Sequence, residues 1–368
     1  MADVTLSSSS YTYSELEQKY SQFFAPASKV TVNGSELGKT DGLGITNVRV
    51  HTSISVDTDT ATFTVINDYD EIDRDFTKLG NTIQLGNTVE IDLGYADKLT
   101  TVFSGYITAV NIDFPEEGTP EITVTAMDVS FKMMRGQQRK SWLNKKISDV
   151  VKEIAGEYGI NSTEVDDTGE SVPALSKGYE SDFQFLQNMA IKLNYDFFVV
   201  GKKLYFRKKF KNKTPVMTLT YMKNLRYLRI EQNLSEQVGK VEVRGWDVKQ
   251  QKEIIGSSSM VDKTSSGTKT GANLLSSIGG AYTEYIYANP SSRKEADEMA
   301  KAIMNERALK LVSGEGECVG LPELRAGRFI KLDGLGTRLN QPYYLTQTTH
   351  ILDETGYRTQ FQFQGNVV

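Results

Sequence analysis

Gly86-Asn87-Thr88-Val89-Glu90-Ile91-Asp92-Leu93-Gly94 and Gly327-Arg328-Phe329-Ile330-Lys331-Leu332-Asp333-Gly334 are the two stretches on which the fold turns. Each opens on a glycine, alternates side chains with the period of two that a half-buried strand requires, and closes on a glycine. The likeness continues outward: Ser104–Val110 matches Gln341–Thr348, with Tyr106 at the place of Tyr344. From Tyr106 to Gly118 is twelve residues, as it is from Tyr344 to Gly356. Both glycines are followed by an alternating final strand, Ile122–Ala126 in one case and Phe361–Phe363 in the other. Any two β-meanders share glycine turns and alternation. Shared order, similar gaps and an aromatic residue at the same place point beyond that to a duplication within the chain. The expected fold is α+β and mainly β: two related antiparallel β-barrels plus a small α/β module.

The rest of the chain fits around this repeat. Residues 1–24 read as an arm whose Ser14-Glu15-Leu16-Glu17 has capping-box spacing for a short helix. Its aromatic residues (Tyr11, Tyr13, Tyr20, Phe23, Phe24) need a surface on this chain or on a neighbour. Residues 25–134 hold the first barrel, with strands at Val48–Val50, Thr62–Ile66 and Val89–Leu93 between turn clusters such as Asn33-Gly34 and Gly80-Asn81. The period turns helical in residues 135–212. Ile147, Val150, Val151, Ile154, Ala155 and Tyr158 share one face, and Gly159 sits where a left-handed stop is wanted. A second helix opens at Ser181 with Gln184 three residues on, and a hairpin follows, Phe197–Val200 and Leu204–Arg207. The second barrel is expected in 213–255 and 314–368. Residues 256–313 are read as an insertion: a Ser-, Gly- and Thr-rich flexible loop, then a helix from Ser292 that stops near Gly314.

Composition excludes more than it assigns. The chain has 368 residues and a formal charge of −5, from 42 basic and 47 acidic side chains. That balance gives no general pull toward nucleic acid or anionic membrane. One cysteine, Cys318, and two histidines, His51 and His350, leave no disulfide framework within the chain, no Cys/His zinc cluster and no clustered His site. A Ser-His-Asp or Cys-His enzyme would have to work with one of two imidazoles. No catalytic, cofactor-binding or metal-ligating residue is assigned, and no cofactor is expected. The start, Met1–Ser10, has no basic region followed by an apolar one, so no signal peptide is read. No run of about 18 apolar residues occurs, so no helical span is expected.

Three further stretches carry a family resemblance. They are Lys146–Ala155; Tyr179-Glu180-Ser181-Asp182-Phe183-Gln184-Phe185-Leu186 running on to Tyr195-Asp196-Phe197-Phe198-Val199; and Leu321–Gly327 through Tyr344-Leu345-Thr346 to His350 and Gly356–Thr359. From about Ala25 to the C-terminus the chain resembles the phage late control D proteins, baseplate hubs of contractile tails, and the hub half of VgrG-type spike proteins. The resemblance implies a homotrimeric ring of pseudo-sixfold symmetry. Such a ring joins a hexameric tail-tube protein to a central spike and contacts other baseplate proteins, without membrane insertion or sequence-specific nucleic-acid binding. It implies synthesis in a bacterial cytoplasm and assembly into a phage virion, a tailocin or an injection system. Since this chain ends at Val368, the spike is expected to be a separate polypeptide. Ser181, Asp182, Phe185, Leu186, Tyr195, Gly327, Tyr344 and His350 carry over as structural residues of the motifs.

The remaining candidates are charged clusters. Lys202, Lys203, Arg207, Lys208, Lys209, Lys211 and Lys213 form the densest run; they are candidates for a lumen lining or a surface facing an acidic partner, against the plainer reading of a solvated hairpin edge. Asp68, Asp70, Glu71, Asp73 and Asp75 lack the spacing of a calcium loop and read as a solvated loop. His350 reads as a packed imidazole and Cys318 as a small buried residue. The leading function is a structural hub without catalysis. The alternatives are a tail-associated cell-wall hydrolase and a glycan-binding tail module.

Overall fold

A computed structural model describes residues 4, 6–38, 42–54, 57–248, 250–280 and 282–368. The first residues of the arm (1–3 and 5) and Ala281 of the insertion lie outside the described residues. Helix α1 (Tyr13–Lys19) leads into the first β region: β1 (Pro26–Val32), β2 (Ser35–Glu36), β3 (Gly44–Ser53), β4 (Thr60–Ile66), the small hairpin β5 (Tyr69–Asp70) and β6 (Asp75–Phe76), then β7 (Thr88–Tyr95), β8 (Lys98–Asp113) and β9 (Glu121–Met127). The α/β module holds β10 (Lys140–Lys145), α2 (Ile147–Glu157), β11 (Ser162–Val165), β12 (Val172–Lys177), α3 (Asp182–Leu193), β13 (Tyr195–Val200) and β14 (Lys203–Lys208). After it come β15 (Pro215–Thr220), β16 (Leu225–Gln232), β17 (Lys240–Asp247), β18 (Lys252–Ser258), α4 (Gly271–Ser277), β19 (Thr283–Tyr287) and α5 (Arg293–Leu309). The chain ends with β20 (Val312–Val319), β21 (Phe329–Asp333), β22 (Pro342–Asp353) and β23 (Gly356–Gly365).

Helix boundaries follow local chemistry. Ser181 Oγ accepts the N–H of Gln184 at 3.1 Å to start α3, and Asn194 closes it in the left-handed region at φ 57°. Ser292 caps α5 in the same way through Glu295. The arm departs from its expected cap: Thr12, not Ser14, closes the box with Glu15. Two residues earlier is also where the flanking backbone is extended, as an N-cap requires. Helix α5 ends at Leu309 rather than near Gly314, because β20 has already begun at Val312.

The two β regions form one thirteen-stranded sheet with the path β16-β20-β23-β22-β3-β4-β9-β8-β7-β1-β2; β21 pairs with β22, and β15 with β21. The halves are open: no pairing among the described residues closes either of them into a barrel. Their cores are continuous, Val30, Phe63, Ile91 and Val124 of one half joining Leu219, Leu332, Tyr343 and Phe363 of the other. Each fully buried side chain of this kind contributes about 1.5–3 kcal/mol.

Within the sheet the duplicated meander is visible bond for bond. Thr88 faces Tyr106 in the β7–β8 ladder and Phe329 faces Tyr344 in the β21–β22 ladder. Gly86 N–H donates to the Ile107 carbonyl at 2.8 Å, and Gly327 N–H to the Leu345 carbonyl at 2.9 Å. The return bonds are Ile107 N–H to Asn87 and Leu345 N–H to Arg328, both 2.8 Å. Both glycines sit at positive φ, 88° and 85°, where a side chain is strained. A β-bulge follows at the same step, between Ile107 and Ala109 and between Leu345 and Gln347. The outer strands differ: β1 runs antiparallel to β7, whereas β15 runs parallel to β21.

The region between β16 and β20 is a unit of its own. β17, from the stretch expected in the second barrel, instead lies at the centre of a separate sheet, between β18 and β19. In that sheet Val241, Val243 and Ile254 pack beneath Ala296, Ala300 and Met304 of α5. The segment read as a flexible loop contains the end of β18 and all of α4, and is tied to the C-terminus. Thr264 N–H donates to Asn366 at 2.8 Å, and Lys269 and Val368 exchange backbone bonds.

Candidate assembly interface

The halves meet where β22 pairs antiparallel with β3, from Gln347 opposite Ser53 to Leu352 opposite Val48. Side chains reinforce the joint. Thr52 and Thr348 hydroxyls bond at 2.8 Å, and His51 Nδ1 meets Thr349 Oγ1 at 3.0 Å. Beneath it, His350 is buried. Its Nε2 donates to the Leu324 carbonyl at 3.0 Å, which leaves Nδ1 to accept from the Thr359 and Tyr357 hydroxyls at 3.1 and 3.0 Å. Burial, aided by nearby Arg325, lowers its pKa to about 4, so the imidazole is neutral.

A buried ionic staple crosses the same joint. Arg325, from the segment before β21, donates one nitrogen to the Asp59 carboxylate and another to the Val102 carbonyl at 2.9 Å. Asp59 also accepts the Ser53 N–H at 3.1 Å. Burial pushes the Asp59 carboxyl up to about 7 despite the arginine, and Asp128 close by adds to the rise. Asp128 is held by the Thr58 hydroxyl at 2.7 Å and by the N–H and hydroxyl of Ser130 at 2.7 and 2.5 Å. Removing one partner from such a buried pair is far more costly than the pair is stabilising. Further along, Tyr95 donates to the Gly320 carbonyl at 3.0 Å, and Glu323 accepts from Tyr20 at 2.7 Å and Lys19 at 2.8 Å. The arm therefore docks on its own chain. Tyr11 N–H bonds Val216, and Val4 packs with Phe198, Val200 and Tyr205.

Two open strand edges are β16, at one end of the sheet path, and the overhang of β8 within it. Among the described residues β16 pairs only with β20, apart from a single bridge from Leu225 to Tyr221, and β8 beyond the bulge, from Ala109 to Asp113, pairs only with β9. One face of the second half is polar. Tyr227, Glu315, Glu317, Gln347, Thr349, Gln360 and Gln362 line a shallow depression of about 340 Å³ there.

The basic run spreads apart in space. Arg207 is buried and donates to the Gly327 carbonyl at 2.8 Å, which removes it from any partner-facing surface. A backbone carbonyl needed a donor there, and the strand's alternation turned that side chain inward. Lys203 pairs with Glu164, and Lys211 with Asp166 at 2.6 Å, while Lys213 donates to the Lys263 carbonyl. Lys208, Lys209, Lys211 and Lys213 border a cleft of about 1060 Å³ that Asp166, Asp167, Asp262 and Glu298 share. Lys202 is exposed at the hairpin turn. In the acidic loop Asp68 is buried and accepts the N–H groups of Lys78 and Leu79; Asp70, Glu71, Asp73 and Asp75 are exposed.

The motif residues are packed into the frame. Asp182 takes the buried Lys177 ammonium at 2.5 Å and the Tyr158 hydroxyl at 2.7 Å; Phe185 and Leu186 fill the module's core. Tyr195 donates to the Asp167 carbonyl at 3.3 Å, and Tyr344 donates to buried Asp196, tying the module to β22. Cys318 is buried. Among the described residues no cluster of three His, Cys, Asp or Glu is placed to hold a metal, and no helix is long and apolar enough to cross a membrane.

Comparison with known proteins adds to this geometry. Residues 25–354 match the family described as Alg8 N-terminal domain. No curated protein matches the sequence. In three dimensions the chain is similar to the 43 kDa tail protein of prophage MuSo2 from Shewanella oneidensis. The TM-score is 0.70 at 13% identity, over 92% of this chain and 98% of that one. It is similar to the tail protein from Neisseria meningitidis MC58, with a TM-score of 0.67 at 12% identity over 93% and 97% of the two chains. A third likeness is to the E. coli c3393 protein, a component of the type VI secretion system with structural similarity to T4 tail proteins gp27 and gp5. There the TM-score is 0.56 at 11% identity, over 92% of this chain and 76% of that one. At these identities the likeness establishes the fold: mainly β, built on large antiparallel sheets, as in tail proteins.

Proposed function

The chain belongs to the family described as Alg8 N-terminal domain and has the fold of phage tail proteins, and from that premise we propose that it is a structural baseplate hub of a contractile tail-like machine. Three copies form a ring. Two related half-sheets per chain give that ring six near-equivalent segments, so a threefold assembly can dock on a sixfold tube and hold a trimeric spike on its other side. The observation that carries this reading is the bond-for-bond repetition of the meander around Gly86 and Gly327. A catalytic protein has no evident use for two copies of one scaffold joined edge to edge, whereas a symmetry adaptor requires them. The face lined by Glu315, Gln347, Gln360 and Gln362 fits the wall of a water-filled lumen, because carboxylates and amides recur along it.

Negative-stain imaging of the purified chain tests the proposal. The expected particle is a ring with a central hole and six lobes contributed by three copies. Compact particles without a hole, or cleavage of peptidoglycan by the isolated chain, would overturn it.

A further inference from the structure

The internal joint between halves predicts how one copy meets the next. Resting on the ring reading above, we infer that Ala109–Phe114 at the open edge of β8 pairs antiparallel with Leu228–Asn233 at the open edge of β16 in a second copy of this chain, in the register that joins β22 to β3.

The register follows from equivalence. Tyr106 and Tyr344 hold the same ladder position, so Asn111 corresponds to Thr349, Ile112 to His350 and Phe114 to Leu352. On the opposing side, β4 faces β9 as β20 faces β23. His51 faces Thr60 and Arg49 faces Thr62; Glu231 faces Ser313 and Arg229 faces Glu315. β16 is therefore the counterpart of β3, with Arg229 for Arg49, Ile230 for Val50 and Glu231 for His51. Transferring the joint's pairs, Thr349 with His51, His350 with Val50, Ile351 with Arg49 and Leu352 with Val48, gives Asn111 with Glu231, Ile112 with Ile230, Asp113 with Arg229 and Phe114 with Leu228.

The chemistry of those pairs is complementary although nothing in the transfer required it. An amide faces a carboxylate, two branched aliphatics face each other, an acid faces a guanidinium and a phenyl ring faces a leucine. Continued past the strand, the register sets Glu116 opposite Arg226. Directly opposed side chains lie close enough for each such contact to count.

Burial points the same way. At the internal joint His350 is 1% exposed, and Val48 and Val50 are fully buried. At the open edges Ile112 is 37% and Phe114 65% exposed, while Leu228 and Ile230 are half-buried. A hollow of about 630 Å³ lined by Ile230, Leu335 and Leu339 lies beside β16. An unpaired edge presents a row of N–H and C=O groups that template another strand. Here the two edges are different surfaces of one chain, so the contact is heterologous and propagates head to tail until it closes.

Disulfide trapping tests the register. Asn111→Cys and Glu231→Cys, both at exposed positions, are combined in one chain and oxidised; Asn111→Cys with Arg229→Cys, displaced by two residues on the same face, is the control. The buried Cys318 is common to all chains. The expected result is a ladder of covalent dimer and trimer from the first pair, collapsed by dithiothreitol, at a yield at least tenfold above the control. If either cysteine chain fails to fold by thermal melting, the charge pair replaces it. Asp113→Arg alone then disperses the assembly, and adding Arg229→Asp restores it. A wild-type trimer that traps only through the displaced pair, or ignores the charge reversal, overturns the register and leaves the ring standing. A wild-type chain that is monomeric at every concentration overturns both.

Discussion

The two meanders share a backbone and differ in what lies over it. Around Gly86 nothing stands within 4 Å of where a side chain would begin; over Gly327 the Phe198 ring is 3.0 Å away and Ile54 is 3.3 Å away. Asn87 donates to the nearby Thr82 carbonyl, whereas its counterpart Arg328 is buried beneath the N-terminal arm, reaching the Ser9 carbonyl at 3.3 Å. The first half thus keeps its meander open at the surface, while the second is overlaid by the α/β module and the arm. What survives duplication is the positive-φ glycine, the paired backbone bonds and the bulge. What diverges includes the residue after the glycine, Asn87 in one half and Arg328 in the other.

The largest effect is expected at the staple between halves. Arg325→Ala leaves the Asp59 and Asp128 carboxyls buried without their cation and is expected to cost about 3–5 kcal/mol in urea unfolding. Asp59→Asn in the same chain should recover part of that, since protonation or amidation removes the stranded charge.

Next is the acid response of the joint. The folded pKa of His350, about 4, lies below its ordinary 6.5, so the unfolded chain takes up the proton first as pH falls. The stability that neutral His350 supports is intact above about pH 6.5 and is lost as pH falls toward 4. Between pH 7 and about 4.5 the wild type should lose about 2 kcal/mol relative to His350→Gln, read from paired denaturation curves. Equal slopes would mean that the imidazole is not buried neutral.

The glycine pair sharpens the contrast directly. Gly86→Ala meets only backbone strain and should cost about 1 kcal/mol; Gly327→Ala meets the same strain plus Phe198 and should cost about 2–3 kcal/mol. Equal costs would show that the second meander has room to relax. Smallest of all is Lys211→Met, which removes a partly exposed ion pair with Asp166. It should change stability by less than about 1 kcal/mol and leave assembly unaltered.

Much of this frame was legible in the sequence because strands and helices announce themselves by period. The meander alignment placed Tyr106 with Tyr344 in the register observed, and the helix caps at Ser181 and Ser292 came from side chains that satisfy the N–H groups beside them. β16 went unread because an edge strand carries Arg226, Arg229 and Glu231 and has little alternation to show. β17 shows strand alternation, but nothing local says which sheet will accept it, and β18 runs into the Ser- and Gly-rich stretch that reads as a loop. The staple is invisible for a different reason: Asp59 and Arg325 are 266 positions apart and belong to no motif. In the basic run the inward turn of Arg207 is not legible, because linear charge density says nothing about which side chain a strand buries or about acids such as Asp166 and Asp262 that fold back against the rest.

In the proposed ring, open edges of one chain are completed by the next until three copies close. Native mass spectrometry of the wild-type chain at micromolar concentration tests this most directly. One dominant species is expected at three times 41.1 kDa, about 123 kDa. A spectrum holding only the 41.1 kDa chain, or an open series of lengthening oligomers, would contradict it.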